Sequence, residues 1–194
     1  MNRREFIKKA AVFSLLIFSG ARLAFKAAAK HIIRPPGSLT EDDFNYKCVR
    51  CGKCILACPA KCLKPVPFKT GLAEWGGPHI VPREAGCLRC MNCSRICPSS
   101  AIVRVDRDSV KMGTAEINRN TCLVWQYGKD CLVCMEYCPV GAIYTDQKGR
   151  PVVDETVCVG CGLCEENCPV TGESAIRVSS RGEKRYHLKE RAYR

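Results

Sequence analysis

The chain has 194 residues, 17 of them cysteine, and a formal net charge of +12. Cysteine at about one residue in eleven is several times ordinary usage, and the hydrophobic share of 46% is reached only with cysteine counted in it. Too little ordinary apolar material remains for a self-sufficient core, so groups bound to sulfur are expected to replace part of it. Length excludes a large multidomain enzyme, and short apolar segments among 26% charged residues exclude wholesale disorder.

Residues 1–29 read as an address. Arg3 and Arg4, a spacer, then Phe6, Ile7 and Lys8 resemble a twin-arginine export signal. Ala10 to Ala21 carries no charge; as a helix it would reach about 18 Å, short of a hydrocarbon core of ~30 Å. Ala27, Ala28 and Ala29 offer the small residues that a signal peptidase needs. A signal peptide, cleaved or retained as an anchor, is therefore predicted, with delivery of the folded protein to the periplasm. The competing reading is a short amphipathic cytoplasmic helix. Residues 30–39, with Arg34-Pro35-Pro36-Gly37-Ser38, are predicted to be a linker, and Thr40-Glu41-Asp42-Asp43 to open a capped helical turn.

From residue 40 to residue 180 one unit recurs four times. The first is Cys48-x2-Cys51-x2-Cys54-x3-Cys58-Pro59, and the second is Cys87-x2-Cys90-x2-Cys93-x3-Cys97-Pro98. The fourth is Cys158-x2-Cys161-x2-Cys164-x3-Cys168-Pro169, while the third is modified to Cys122-x8-Cys131-x2-Cys134-x3-Cys138-Pro139. Cysteines two residues apart on a tight loop give three thiolates to one face of a cubane. The fourth, before Pro, points away to the other cluster of a pair, as in two-cluster bacterial ferredoxins. Zinc knuckles require neither the x3-Cys-Pro ending nor its repetition, and a disulfide framework does not explain the spacing. Four [4Fe–4S] clusters use sixteen cysteines. The remaining one, Cys62, aligns with Ala101 and Ala142 and is expected to be a small buried residue.

The predicted class is α+β: tandem bacterial-ferredoxin-like modules forming two two-cluster lobes, small βαβ-type units around a cofactor-dominated core. Ala101–Val105 and Ala175–Val178 read as strands following cluster helices. His31, His79 and His187 lack ligand spacing and are expected at the surface or in loops. Trp75, Trp125, Tyr46 and Tyr137 are expected to pack so that water is kept from the clusters. No nucleophile triad, phosphate loop or dinucleotide fingerprint is present, so no catalytic residue is assigned.

Residues 1–29 hold a net charge of +5 and the basic tail 181–194 a net +4, leaving +3 for the middle. Sixteen thiolates on four cores of about +2 each would add about −8, which brings the loaded protein near neutrality and removes the case for nucleic acid. Lys47, Arg50, Lys53 and Lys61 surround the first repeat, and Arg83, Arg89 and Arg95 the second. The fourth instead has Glu155, Glu165 and Glu166. Cations near a cluster favour its reduced form and carboxylates disfavour it, so the fourth-repeat cluster is expected at a lower potential than the first.

The cysteine order, Cys122-Leu-Val-Trp125 ahead of Cys131, Lys111-Met-Gly-Thr-Ala115, Pro151-Val-Val-Asp154 and Cys158-Val-Gly-Cys-Gly-Leu-Cys164 resemble the MauM/NapG ferredoxin-type proteins. The resemblance spans about residues 40–180 and the export signal. It implies a periplasmic, membrane-associated electron-transfer protein with four [4Fe–4S] clusters. The implied partners are a membrane polyferredoxin or quinol dehydrogenase subunit on one side and a periplasmic redox enzyme or cytochrome c on the other. It also implies nested pairing: Cys48, Cys51, Cys54 with Cys168; Cys158, Cys161, Cys164 with Cys58; Cys87, Cys90, Cys93 with Cys138; and Cys122, Cys131, Cys134 with Cys97. On this reading the chain is an electron-transfer subunit of an oxidoreductase rather than a catalyst on its own. The alternatives are the small subunit of a molybdenum- or tungsten-containing oxidoreductase and, remotely, a disulfide-rich structural protein.

Overall fold

The computed structural model describes residues 32–188; Arg3, Arg4, the rest of the leader with His31, and the end of the basic tail lie outside them. The helices are α1 (Glu41–Lys47), α2 (Lys53–Leu56), α3 (Asn92–Ile96), α4 (Leu123–Tyr127), α5 (Val133–Glu136) and α6 (Leu163–Glu166). The strands are β1 (Leu63–Pro65), β2 (Pro78–Ile80), β3 (Thr114–Ile117), β4 (Ile143–Thr145), β5 (Pro151–Val153) and β6 (Ile176–Ser179). α1, at seven residues, is the longest of these helices, far below the length at which an isolated helix holds in water. What fixes each element is therefore its contact with the rest of the molecule. No helix among the described residues is long and apolar enough to cross a membrane.

The strands form three two-stranded antiparallel sheets, β1–β2, β3–β6 and β4–β5. This corrects the βαβ expectation. A parallel pair needs a long crossover and cover on both faces, which segments of three and four residues between cysteine loops do not provide. Ala175–Val178 does fall largely in β6, pairing with β3 in the register Ile117 opposite Ile176. Of Ala101–Val105 only Ile102 forms a bridge, to Ser38.

Two apolar clusters hold the elements together, and both include cysteine. One gathers Ile33, Leu39, Phe44, Leu63, Ile80, Ile102 and Met112 around Cys54, Cys87, Cys93 and Cys161; the other joins Ala115, Ala142, Ile143 and Ile176 with Cys158 and Cys164. The segment expected to be a linker belongs to the first. Residues 32–39 are buried, Ile33 bridges to Ile80, and the Arg34 guanidinium is enclosed between Glu41, the Pro78 carbonyl (2.9 Å) and the face of Phe44 (4.4 Å to the ring centre). Pro and Gly signal a change of direction, and composition does not say whether the turn lies over the core or away from it. The expected capped turn is α1, with Thr40 at its N-cap donating to the Asp43 carboxylate (2.9 Å). The first part of the basic tail is pinned too. Thr40 N–H donates to the Tyr186 carbonyl (2.9 Å), Lys184 N–H to that of Lys111 (2.7 Å), and Leu188 N–H to the Asp43 carboxylate (3.2 Å).

Candidate metal centres

The first, second and fourth repeats fold their cysteine loops in the same way. The residues flanking the middle cysteine are left-handed in all three: Arg50 and Gly52 (φ 52° and 73°), Arg89 and Met91 (53° and 62°), Gly160 and Gly162 (69° and 85°). Alternation of this kind turns successive backbone N–H groups inward, a concavity suited to an anionic group. For a non-glycine residue the conformation costs about 1–2 kcal/mol, and it persists here at Arg50, Arg89 and Met91 because the loop requires it. A further left-handed residue follows each Cys-Pro, at Lys61, Ser100, Gly141 and Gly172. The third repeat departs from the pattern: Cys122 is the N-cap of α4, and left-handed Gly128 ends that helix before Cys131.

Backbone amides meet the sulfurs. Arg89 N–H donates to Cys87 Sγ (3.4 Å), Ala115 N–H to Cys158 Sγ (3.4 Å) and Ala142 N–H to Cys138 Sγ (3.2 Å). Burial opposes ionisation of Cys168, but hydrogen bonds from Ser174 and from the amides of Val170, Ala175 and Ile176 prevail and hold it below the usual thiol range. Elsewhere burial and crowding dominate. Cys54 is pushed up to about 11, with Cys48, Cys97 and Cys51 as its sulfur neighbours. Cys134 is likewise raised to about 11 beside Cys122, Cys131 and Cys168. Cys164 is raised by burial and by Cys161, Cys158, Cys134 and Cys138. Sulfurs so placed ionise together only against a cationic core. Among the described residues no three His, Cys, Asp or Glu side chains converge as a single ion requires. Sulfurs arrayed around apolar pockets, with amides aimed at them, fit an iron–sulfur cluster.

The sulfurs that stand together differ from those of the nested order. Cys58 lines one pocket with Cys87, Cys90 and Cys93, and Cys168 lines another with Cys122, Cys131 and Cys134. Cys97 stands with Cys48, Cys51 and Cys54, and Cys138 with Cys158, Cys161 and Cys164. In this geometry the fourth cysteine of each repeat stands beside the loop of an adjacent repeat, first with second and third with fourth. The reason is the packing of α2 against α3 and of α5 against α6, which carries the cysteine after each helix to the loop before its partner. Spacing alone does not tell which repeat the fourth cysteine meets; packing does. Cys87 N–H donates to the Cys161 carbonyl (2.6 Å), which joins the loops of the second and fourth repeats.

The charge pattern around the clusters is also rearranged. Arg83, counted with the second repeat, reaches across to donate to the carbonyls of Glu165 (3.0 Å), Cys168 (2.9 Å) and Val170 (2.7 Å). Glu165 is buried and accepts Val178 N–H (2.6 Å), while Glu166 accepts Gly86 N–H (2.7 Å). Glu165 and Glu166 are thus held by backbone amides, and Glu155 pairs with Arg181 (2.6 Å), so the fourth repeat is not the bare acidic cluster that its sequence suggests. Tyr46 (85% exposed), Trp75 and Tyr137 do not seal the centres. Trp125 packs, but between Arg119 and Arg150 with its ring N–H on the Pro151 carbonyl (3.0 Å). His79 sits half-buried in β2 with Nδ1 at 2.9 Å from the Lys64 carbonyl, and burial holds it below the usual imidazole range. Cys62 is buried as expected, yet its Sγ lies 3.5 Å from that of Cys58, which alignment to alanine did not foretell.

The family model of the 4Fe-4S dicluster domain matches residues 47–101, 86–142 and 129–172. The first of these spans encloses the first two repeats, the second encloses the second and third, and the third runs from Cys131 through the fourth repeat. The methylamine utilization ferredoxin-type protein MauM of Paracoccus denitrificans is 41% identical over 164 residues, 77% of this chain and 71% of that protein. MauM of Methylobacillus flagellatus is 37% identical over 186 residues, 85% and 76% of the two chains. The ferredoxin-type protein NapG of Escherichia coli is 35% identical over 178 residues, 81% and 76%. With its cysteine repeats, its cluster-shaped loops and this extent of identity, the chain belongs to the MauM/NapG family of ferredoxin-type, iron–sulfur electron-transfer proteins.

Proposed function

We propose that the sixteen repeat cysteines hold four [4Fe–4S] clusters in the four sets just described, arranged as two two-cluster modules, and that the chain relays electrons in the periplasm. The donor in this reading is a membrane quinol-oxidising partner, and the acceptor a periplasmic redox enzyme or cytochrome. The observation that carries it is the continuity of the sets. Cys54 neighbours Cys93, Cys87 adjoins Cys161, and Cys164 neighbours Cys134, so each set touches the next along one line. When bound, such clusters supply one-electron transfer without proton or atom transfer. The polypeptide binds through thiolates, directs amides at the sulfurs, and excludes water with Ile117, Leu123 and Ile176 at one centre and Leu63 and Met91 at another. Cys51 and Cys90 are exposed, which leaves the first two sets open to a partner.

Iron and acid-labile sulfide analysis of well-loaded protein is expected to approach about sixteen of each per chain, four per cubane. A well-loaded preparation with only eight would remove the four-cluster reading. Purification of the native complex identifies donor and acceptor; recovery with neither a quinol-oxidising membrane protein nor a periplasmic redox protein would overturn the relay.

A further inference from the structure

Cys62 is the only cysteine outside the four repeats. Its side chain is 2% exposed and lines the same pocket as Cys58, Cys87, Cys90 and Cys93. Its Sγ is 3.5 Å from Cys58 Sγ, and Cys87 is its other sulfur neighbour. The aligned positions in the second and third repeats, Ala101 and Ala142, are 1% and 0% exposed. The fold therefore closes equally well over a methyl group, and burial alone does not call for sulfur here. Other hydroxyls approach single sulfurs elsewhere, Ser99 at 3.7 Å from Cys97 and Ser174 beside Cys168. Cys62 differs in meeting one sulfur of a set while lining the same pocket as the other three.

On the cluster reading above, Cys58 and Cys87 are metal-bound thiolates and have no proton to give, so Cys62 holds the one proton among the three sulfurs. A donor on a ligand sulfur offsets negative charge at the cluster. The offset is larger in the reduced form, which is the more negative, so the donor raises the reduction potential. We propose that Cys62 is a potential-setting residue: its S–H donates to the ligand sulfur of Cys58, beside Cys87, and raises the potential of their cluster above the value that alanine would leave. The relay thereby gains a step of its own at the second cluster, written into the chain by one atom.

The test uses the full iron-loaded chain in three forms: wild type, Cys62→Ala and Cys62→Ser. Redox titration followed by electron paramagnetic resonance is expected to show one midpoint of Cys62→Ala displaced to lower potential and the other three unmoved, at unchanged iron content. Cys62→Ser, which restores a donor of shorter reach, recovers part of the displacement. Four unmoved midpoints in Cys62→Ala would overturn the proposal. So would the loss of about a quarter of the iron, because Cys62 would then be a ligand. Wild-type protein without iron or visible charge-transfer absorption would instead remove the cluster reading beneath it.

Discussion

Arg34 is a buried cation whose main partner, Glu41, is about one-third exposed, and the two ends of this pair respond differently to removal. Glu41→Ala strands a guanidinium left with the Pro78 carbonyl and a long contact to Asn45 (3.4 Å), at an expected cost of about 3 kcal/mol. Arg34→Met fills much of the same volume and leaves a carboxylate that water reaches, so its cost is expected to be smaller. Thermal unfolding of the iron-loaded protein ranks the two, and equal losses would mean that packing rather than charge dominates the site. The sulfurs allow a sharper comparison. Two ligands of one cluster are redundant in their removal, whereas ligands of different clusters add. Cys54→Ala combined with Cys97→Ala is therefore expected to lose about four of sixteen iron atoms, and Cys131→Ala combined with Cys97→Ala about eight. The nested order requires the reverse.

Among the elements, the β4–β5 hairpin has a separable electrostatic part. The Arg150 side chain and the amides of Arg150 and Lys148 hold the half-buried Asp146 carboxyl down to about 2, from an ordinary value of 3.8. Because the folded value is depressed, this contribution is complete above the ordinary carboxylate range and fades as pH falls towards about 2. In an NMR titration Arg150→Ala is expected to return Asp146 towards its ordinary value, and an unmoved titration would assign the effect to the turn amides alone. Gly160 tests a loop. It is left-handed, and a Cβ there would stand 2.5 Å from Gly113 N, so Gly160→Ala is expected to lower the melting temperature by several degrees and to weaken loading of the fourth repeat. The cysteine loops were legible in sequence because ligand spacing is rigid and repeated. The strands were legible only in fragments, since three residues such as Leu63–Pro65 carry too short a pattern to set direction or partner. Residues 32–39 resemble a linker for a related reason: Ile32, Ile33 and Leu39 are the only large apolar residues beside a Pro-Pro-Gly turn, and nothing local shows that the turn is covered.

At the scale of the whole molecule, the proposed route to the periplasm has its own test. Replacing Arg3 and Arg4 with Lys is expected to leave cluster-loaded protein in the cytoplasm, and unchanged periplasmic accumulation would remove the twin-arginine reading. The fold also joins the two ends of the described chain, with Leu39 bridging to Tyr186 and Thr40 N–H bonded to its carbonyl. A chain stopped after Ser180 is expected to lose hydrogen-exchange protection at Thr40 while keeping it in the β4–β5 hairpin. Protection retained at Thr40 would show that the tail adds nothing to the first half. That closure bears on synthesis. Tyr186 is added 147 residues after Leu39, an interval of about 7–30 s at ribosomal rates of roughly 5–20 residues per second. The part of the molecule made first is thus the last to be locked, and through that interval Cys48, Cys51 and Cys54 wait on a nascent chain whose closing segment has not yet been translated.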